Sequence, residues 1–238
     1  MTAHDAKPTG VSRREVLKLV GAASAGTLPV GTAAASEERA PALEPPRAPP
    51  YTFFNFEEVL FIEAAVDMLI PADEVGPGAL ELGVASFIDR QMTSGYGRGD
   101  RMYLQGPFIE GIPEQGYQLQ MTPAELMRAG IKDVDVYCRE KYRASFHDVS
   151  HTDRTAVLNT LEAGTATLPT VPAQVFFNLV YELTLQGYFS DPVHGGNLGK
   201  GSWKMLGFPG IGAMYADKIT EYHNKRYMAD PVGIQDLT

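Results

Sequence analysis

From residue 55 onward, apolar residues recur at steps of three and four, a period that predicts helices. The first starts at Asn55, which can cap the backbone while Glu58 reaches back from three residues on. Val59, Ile62, Ala65, Val66 and Leu69 then share one face, and Pro71 ends the run. Residues 79–92 repeat the period, with Leu82, Ala85, Phe87 and Ile88 facing inward. Thr122-Pro123-Ala124-Glu125 joins a capping box to a proline at the first helical position. It opens a stripe of Met127, Ile131, Val134, Cys138 and Tyr142. Ser150 and Asp153 start a helix carrying Val157 and Leu161 that stops at Gly164. Residues 173–186 come after Pro172 and are apolar on most sides, which predicts a central helix. The last helix is expected over residues 213–224, with Ile219 and Tyr222 inward and Lys225 and Arg226 suiting its C-terminal dipole. No segment alternates with period two for long enough to predict a strand, and there is no internal repeat. The expected fold is mostly α: a single globular domain of about six helices with long ordered Gly-rich loops.

Two stretches break the helical period. Residues 93–121 are polar and rich in Gly and Tyr, with Tyr96, Tyr103 and Phe108 able to pack a long loop. Residues 187–212 hold eight of the chain's 24 glycines, its single tryptophan Trp203, and the rings of Tyr188, Phe189 and Phe208. Such glycine density speaks against regular helix or strand, while the rings distinguish it from a flexible linker. A long ordered loop pinned by buried rings is expected, and such loops tend to be functional. It is not a phosphate loop. His194 stands where the first glycine should be, Gly201 stands where Ser or Thr should come after Lys200, and the segment before it reads as a helix rather than a strand.

Composition and charge narrow the partners. The 238 residues, 44% hydrophobic, suit one domain with a sizeable core. Residues 1–35 read as a twin-arginine signal peptide: Ser12-Arg13-Arg14-Glu15-Val16-Leu17-Lys18, then a weakly apolar run to Val30, then Ala33-Ala34-Ala35 as a cleavage site. That run is too short and too rich in Gly, Ser and Thr to anchor in a membrane. Residues 36–52, with five prolines, read as a linker, and the domain is expected over residues 53–238. Removing the leader takes away four basic and two acidic residues, so the formal charge moves from −9 to about −11. A surface of that sign disfavours nucleic acid as a partner. The twin-arginine translocase carries chains already folded, often with a cofactor or a partner attached, and one cysteine allows no intrachain disulfide. The expected location is the periplasm. Yet the chain has no Cys-x-x-Cys-His haem site, no paired Cys-x-x-Cys and no dinucleotide fingerprint.

Three groups of side chains could carry chemistry. Asp191 could orient His194 as a general base, but Asp before Pro192 more often caps backbone amides in a turn. His147 and His151 have a helical metal-ligand spacing, although Asp148-Val149-Ser150 between them reads as a helix break and no third ligand is near. Cys138 sits on an apolar stripe and reads as a small core residue.

Two further patterns resemble one family. Phe177, Gly187, Tyr188, Asp191, Pro192, Gly195, Gly196, Asn197, Trp203, Gly207, Pro209 and Gly210 form one run. Ile70, Pro71, Asp73, Gly78, Ala79, Gly83, Val84, Phe87, Ile88 and Asp89 form the other. Both resemble the gluconate 2-dehydrogenase subunit 3 family, the small subunits of membrane-bound, FAD-dependent sugar and sugar-acid dehydrogenases. The resemblance implies a non-catalytic subunit holding no cofactor itself. FAD would reside in a catalytic subunit of the glucose–methanol–choline type, and haem c in a cytochrome c subunit that anchors the complex. It implies that this chain escorts a leaderless flavoprotein during export. The substrate, whether gluconate, 2-ketogluconate, fructose, glucose or sorbitol, is then set by the partner. The residues expected to meet the partner are Tyr188, Phe189, Asp191, Pro192, Gly195, Gly196, Asn197, Trp203, Phe208, Pro209 and Gly210. The alternative is a self-contained periplasmic oxidoreductase or hydrolase using Asp191 and His194.

Overall fold

A computed structural model describes residues 50–109, 111, 112, 115 and 117–237. Arg13, Arg14 and the rest of the leader, with most of the proline-rich stretch, lie outside the described residues. Among the described residues there are seven α-helices, in order: α1 (Phe56–Leu69), α2 (Val84–Thr93), α3 (Pro123–Tyr142), α4 (His151–Glu162), α5 (Ala173–Phe189), α6 (Gly201–Leu206) and α7 (Lys218–Glu221). There is no strand among the described residues, and the helices form a single globular domain.

The starts of these helices are local chemistry. Asn55 accepts from the Glu58 amide and Glu58 accepts from the Asn55 amide, a closed capping box, and Thr122 with Glu125 repeats it at α3. Ser150 accepts from the Asp153 amide at α4. Their packing is centred on α5, which touches α1, α2, α3, α4 and α6. Its Phe176, Leu183 and Val180 are buried, and Phe176 joins Phe61 and Phe146 in a cluster with ring centroids 6.1 and 4.7 Å from Phe61. Each fully buried side chain of this size contributes roughly 1.5–3 kcal/mol. The all-round apolar pattern of α5 thus did mark the central helix.

Three boundaries differ from the sequence reading. α2 begins at Val84, because Ala79–Leu82 turn and Gly83 takes the left-handed φ of 71°. The glycine stretch, expected to lack regular structure, contains α6, whose Ser202 amide is held by the side chain of Asn197 from just before the helix. The expected helix over 213–224 is only a 3₁₀ turn and the four-residue α7, with Ile219 70% exposed. A helix that short needs a packed face to persist over more turns, and this one has none.

Buried carboxylates tie the loops to the helices. Asp89 of α2 is 1% exposed and accepts from the amides of Thr52, Phe53 and Phe54 at 2.7, 2.9 and 2.9 Å and from the Thr52 hydroxyl at 2.9 Å. Asp133 of α3 likewise accepts from the amides of Thr170 and Val171 and from the Thr170 hydroxyl. A buried carboxylate is tolerable only with donors of this kind around it. Between them they fix the chain's entry to α1 and the connection into α5.

Candidate partner-docking site

The glycine-rich segment leaves the end of α5 and is held by three buried side chains. Tyr188 is 3% exposed and its hydroxyl donates to the Pro77 carbonyl at 2.7 Å, from the turn before α2. Burial raises the pKa of that phenol, with Asp73 and Glu81 adding to the effect, so the hydroxyl stays a donor. Asn197 is fully buried in the left-handed region at φ 49°. Its side-chain oxygen accepts from the Ser202 amide and hydroxyl, and its NH₂ donates to the Ser190 carbonyl. Trp203 is 6% exposed, and its Nε1 donates to the Phe189 carbonyl at 2.9 Å. Asn197 and Trp203 close the loop onto itself and onto the end of α5, and Tyr188 ties that end to the turn before α2.

Gly196 shows how tightly. A Cβ there would stand 2.2 Å from the Gly187 carbonyl oxygen, so only glycine lets the loop cross the end of α5. Gly210, at φ 94°, has the carbonyl of Val232 where a Cβ would be.

The residues expected to meet a partner therefore fall into three groups. Tyr188, Gly195, Gly196, Asn197, Trp203 and Gly210 are buried within the chain, while Asp191, Pro192 and Pro209 are half-buried. Phe189 and Phe208 are 42% and 44% exposed. Both adjoin Trp203: the Phe208 ring meets the indole edge-on at 5.3 Å, and Phe189 supplies the carbonyl for Nε1. Leu206, at 60% exposure on the same short helix as Trp203, was not singled out from the sequence, because the expected loop gave no reason to assign it a face.

Asp191 and His194 are not brought into a dyad. Asp191 accepts the Val193 amide on one oxygen at 3.0 Å and the Ile234 amide on the other at 2.8 Å, while His194 is exposed and meets Asp191 only through its backbone amide, which donates to the Asp191 carbonyl at 3.0 Å. Asp191 thus has the capping role common before proline. Two clefts, of about 400 and 450 Å³, lie elsewhere, one along α1 and α3 beside Glu58 and Arg128, the other beside Tyr96 and Arg101. His147 precedes the break, with Nε2 3.4 Å from Asp148, while His151 opens α4. No group of three or more His, Cys, Asp or Glu side chains is placed to hold a metal ion among the described residues. Cys138 is buried, and burial pushes its thiol pKa up to about 12, beyond the range of a reactive thiolate.

The family model for gluconate 2-dehydrogenase subunit 3 matches residues 57–210, from the first turn of α1 to the last buried glycine of this segment. The chain belongs to the gluconate 2-dehydrogenase subunit 3 family. No curated protein and no solved structure matches it. The family name makes this subunit a component of a multi-subunit dehydrogenase. In this member of the subunit 3 family, no helix is long and apolar enough to cross a membrane among the described residues.

Proposed function

We propose that this chain is the non-catalytic small subunit of a periplasmic, FAD-dependent sugar or sugar-acid dehydrogenase, and that it escorts its leaderless flavoprotein partner through the twin-arginine route. The match to the subunit 3 family over residues 57–210 carries the reading. The Ser12–Lys18 pattern, on a chain with no cofactor fingerprint, supports the escort role. The glycine-rich segment is the docking face: its buried anchors hold Phe189, Leu206 and Phe208 outward as apolar contacts, the kind of rigid presentation that interface hot spots need. A cytochrome c subunit takes the electrons and anchors the complex, and the flavoprotein pocket selects the substrate.

The test is a tagged full chain expressed in its own host, with the flavin that co-purifies measured per chain. Replacing Phe189, Leu206 and Phe208 together by Ala should lower that ratio at least tenfold while leaving the unfolding midpoint nearly unchanged. An unchanged ratio would move the docking face elsewhere. Arg13 and Arg14 replaced by Lys should leave both this chain and the flavoprotein in the cytoplasm; a partner exported as usual would end the escort role. His194→Ala should keep turnover per assembled complex within a few-fold, whereas a general base would lose about 10²–10⁴-fold.

A further inference from the structure

The family match ends at Gly210, and the C-terminal residues beyond it turn back onto the docking face. Val232 donates its amide to the Pro209 carbonyl and accepts the Ile211 amide, both at 3.0 Å, making a one-residue parallel β-bridge across Gly210. Two residues on, the Ile234 amide reaches Asp191, and two further on Asp236 pairs with Lys200 while also accepting the Gly233 amide at 2.7 Å. An extended segment is thus seated by a strand-type backbone pair, a carboxylate receiving an amide, and a lysine receiving an acid.

The grip is backbone and ionic rather than apolar. Between residues 211 and 237, Pro231 and Gly233 are the buried ones among those described, and Ile219, Met228, Ile234 and Leu237 are 48–70% exposed. Segments with so few buried apolar contacts open at the low end of a protein's local stabilities. Yet the tail occupies Asp191, the Pro209 carbonyl and the face of Gly210, which belong to the proposed docking face. Those backbone groups cannot serve the tail and a partner strand together.

We propose that the C-terminal tail is a strap: it fills this seat in the free chain and is vacated when the flavoprotein docks. The proposal rests on the docking reading. A strap of this kind lowers apparent affinity by the fraction of chains in which it is open, so loosening it strengthens assembly. Two full-length variants loosen it without touching the docking face. Asp236→Ala removes the partner of Lys200. Ile234→Pro removes the amide given to Asp191, at the first position of a 3₁₀ turn where proline fits.

Each variant should hold flavin at a partner concentration on the order of fivefold lower, the weight of one exposed ion pair or one amide–carboxylate bond. Trp203 emission should stay unchanged, showing the loop intact. Hydrogen exchange at the Val232 amide should be faster in the unaltered complex than in the free chain. Weaker or unchanged assembly by the variants, or a Val232 amide better protected in the complex, would overturn the strap and make the tail a spectator or part of the interface. If the unaltered chain retains no flavin, the docking reading fails and the strap with it. Flavin retained without a gain in the variants removes the strap alone.

Discussion

Residues 101–121 and residues 187–212 are both rich in glycine and rings, but only the second buries rings and polar side chains as anchors. In the first, Tyr103 is 83% exposed, Ile109 79% and Ile112 60%, and much of its hydrogen bonding is local, such as Gln118 with Gly111 and Ile112. In the second, Trp203 and Tyr188 are buried, Asn197 is fully enclosed, and a short helix forms within the stretch. The difference lies in what each is laid upon. The second leaves the central helix α5 and returns over its end, so its polar groups find buried partners and its rings find apolar surface. An ordered loop is decided by such anchors rather than by its glycine content.

The largest effect that would break this comparison is on stability. Trp203→Ala should cost about 3–5 kcal/mol in urea unfolding, and Tyr103→Ala under about 0.5 kcal/mol, though both remove a ring from a loop. Equal costs would erase the distinction. Gly196→Val comes next, at about 2–3 kcal/mol, because the added carbon meets the Gly187 carbonyl, a backbone atom with little room to move. Asn197→Ala is third, at about 1–3 kcal/mol, by stranding the buried Ser202 amide. Limited trypsin digestion sharpens the comparison without a mutation: the bond after Arg101 should be cut well before those after Lys200 and Lys204, as read by mass spectrometry.

The smallest effect concerns the tail. Its bond to Lys200, then that to the Gly233 amide, lowers the Asp236 pKa below the ordinary 3.8. A carboxylate with a lowered folded pKa contributes stability above its unfolded value and loses it as pH falls through the folded one. Protection of the Val232 amide should therefore stay level above about pH 5, after correction for intrinsic exchange, and fall away below 3.8. Protection that rose on acidification would contradict the Asp236 contact.

Much of the helical domain was legible because its causes are local. Asn55 with Glu58 and Thr122 with Glu125 are neighbours in sequence and form the same capping boxes in space. The stripe through Met127, Ile131, Val134 and Cys138 is buried as its period requires, and α5 lies at the centre as its all-round apolarity requires. The period failed where packing was the deciding term. Residues 213–224 carry a helical pattern, but no surface receives Ile219 and only α7 forms.

The candidate site was legible only in outline. Its place and its rings could be read from residues 187–212, and Asp191 could be read as a turn cap. Which rings face inward could not. Tyr188 and Phe189 are adjacent and differ from 3% to 42% exposure, because the Tyr188 hydroxyl reaches Pro77, 111 residues earlier, while the Phe189 ring lies edge-on to the Tyr188 ring at 4.9 Å. Nor does any local signal pair Gly210 with Val232, Asp191 with Ile234, or Lys200 with Asp236. The sequence alone determined the five longer helices, α1 to α5, the caps of α1, α3 and α4, and the family, since these depend on residues within a turn or two of one another. Only the tertiary structure decided which anchors are buried, which rings remain outside, and that the tail lies across them, because those outcomes depend on contacts between residues far apart in the chain.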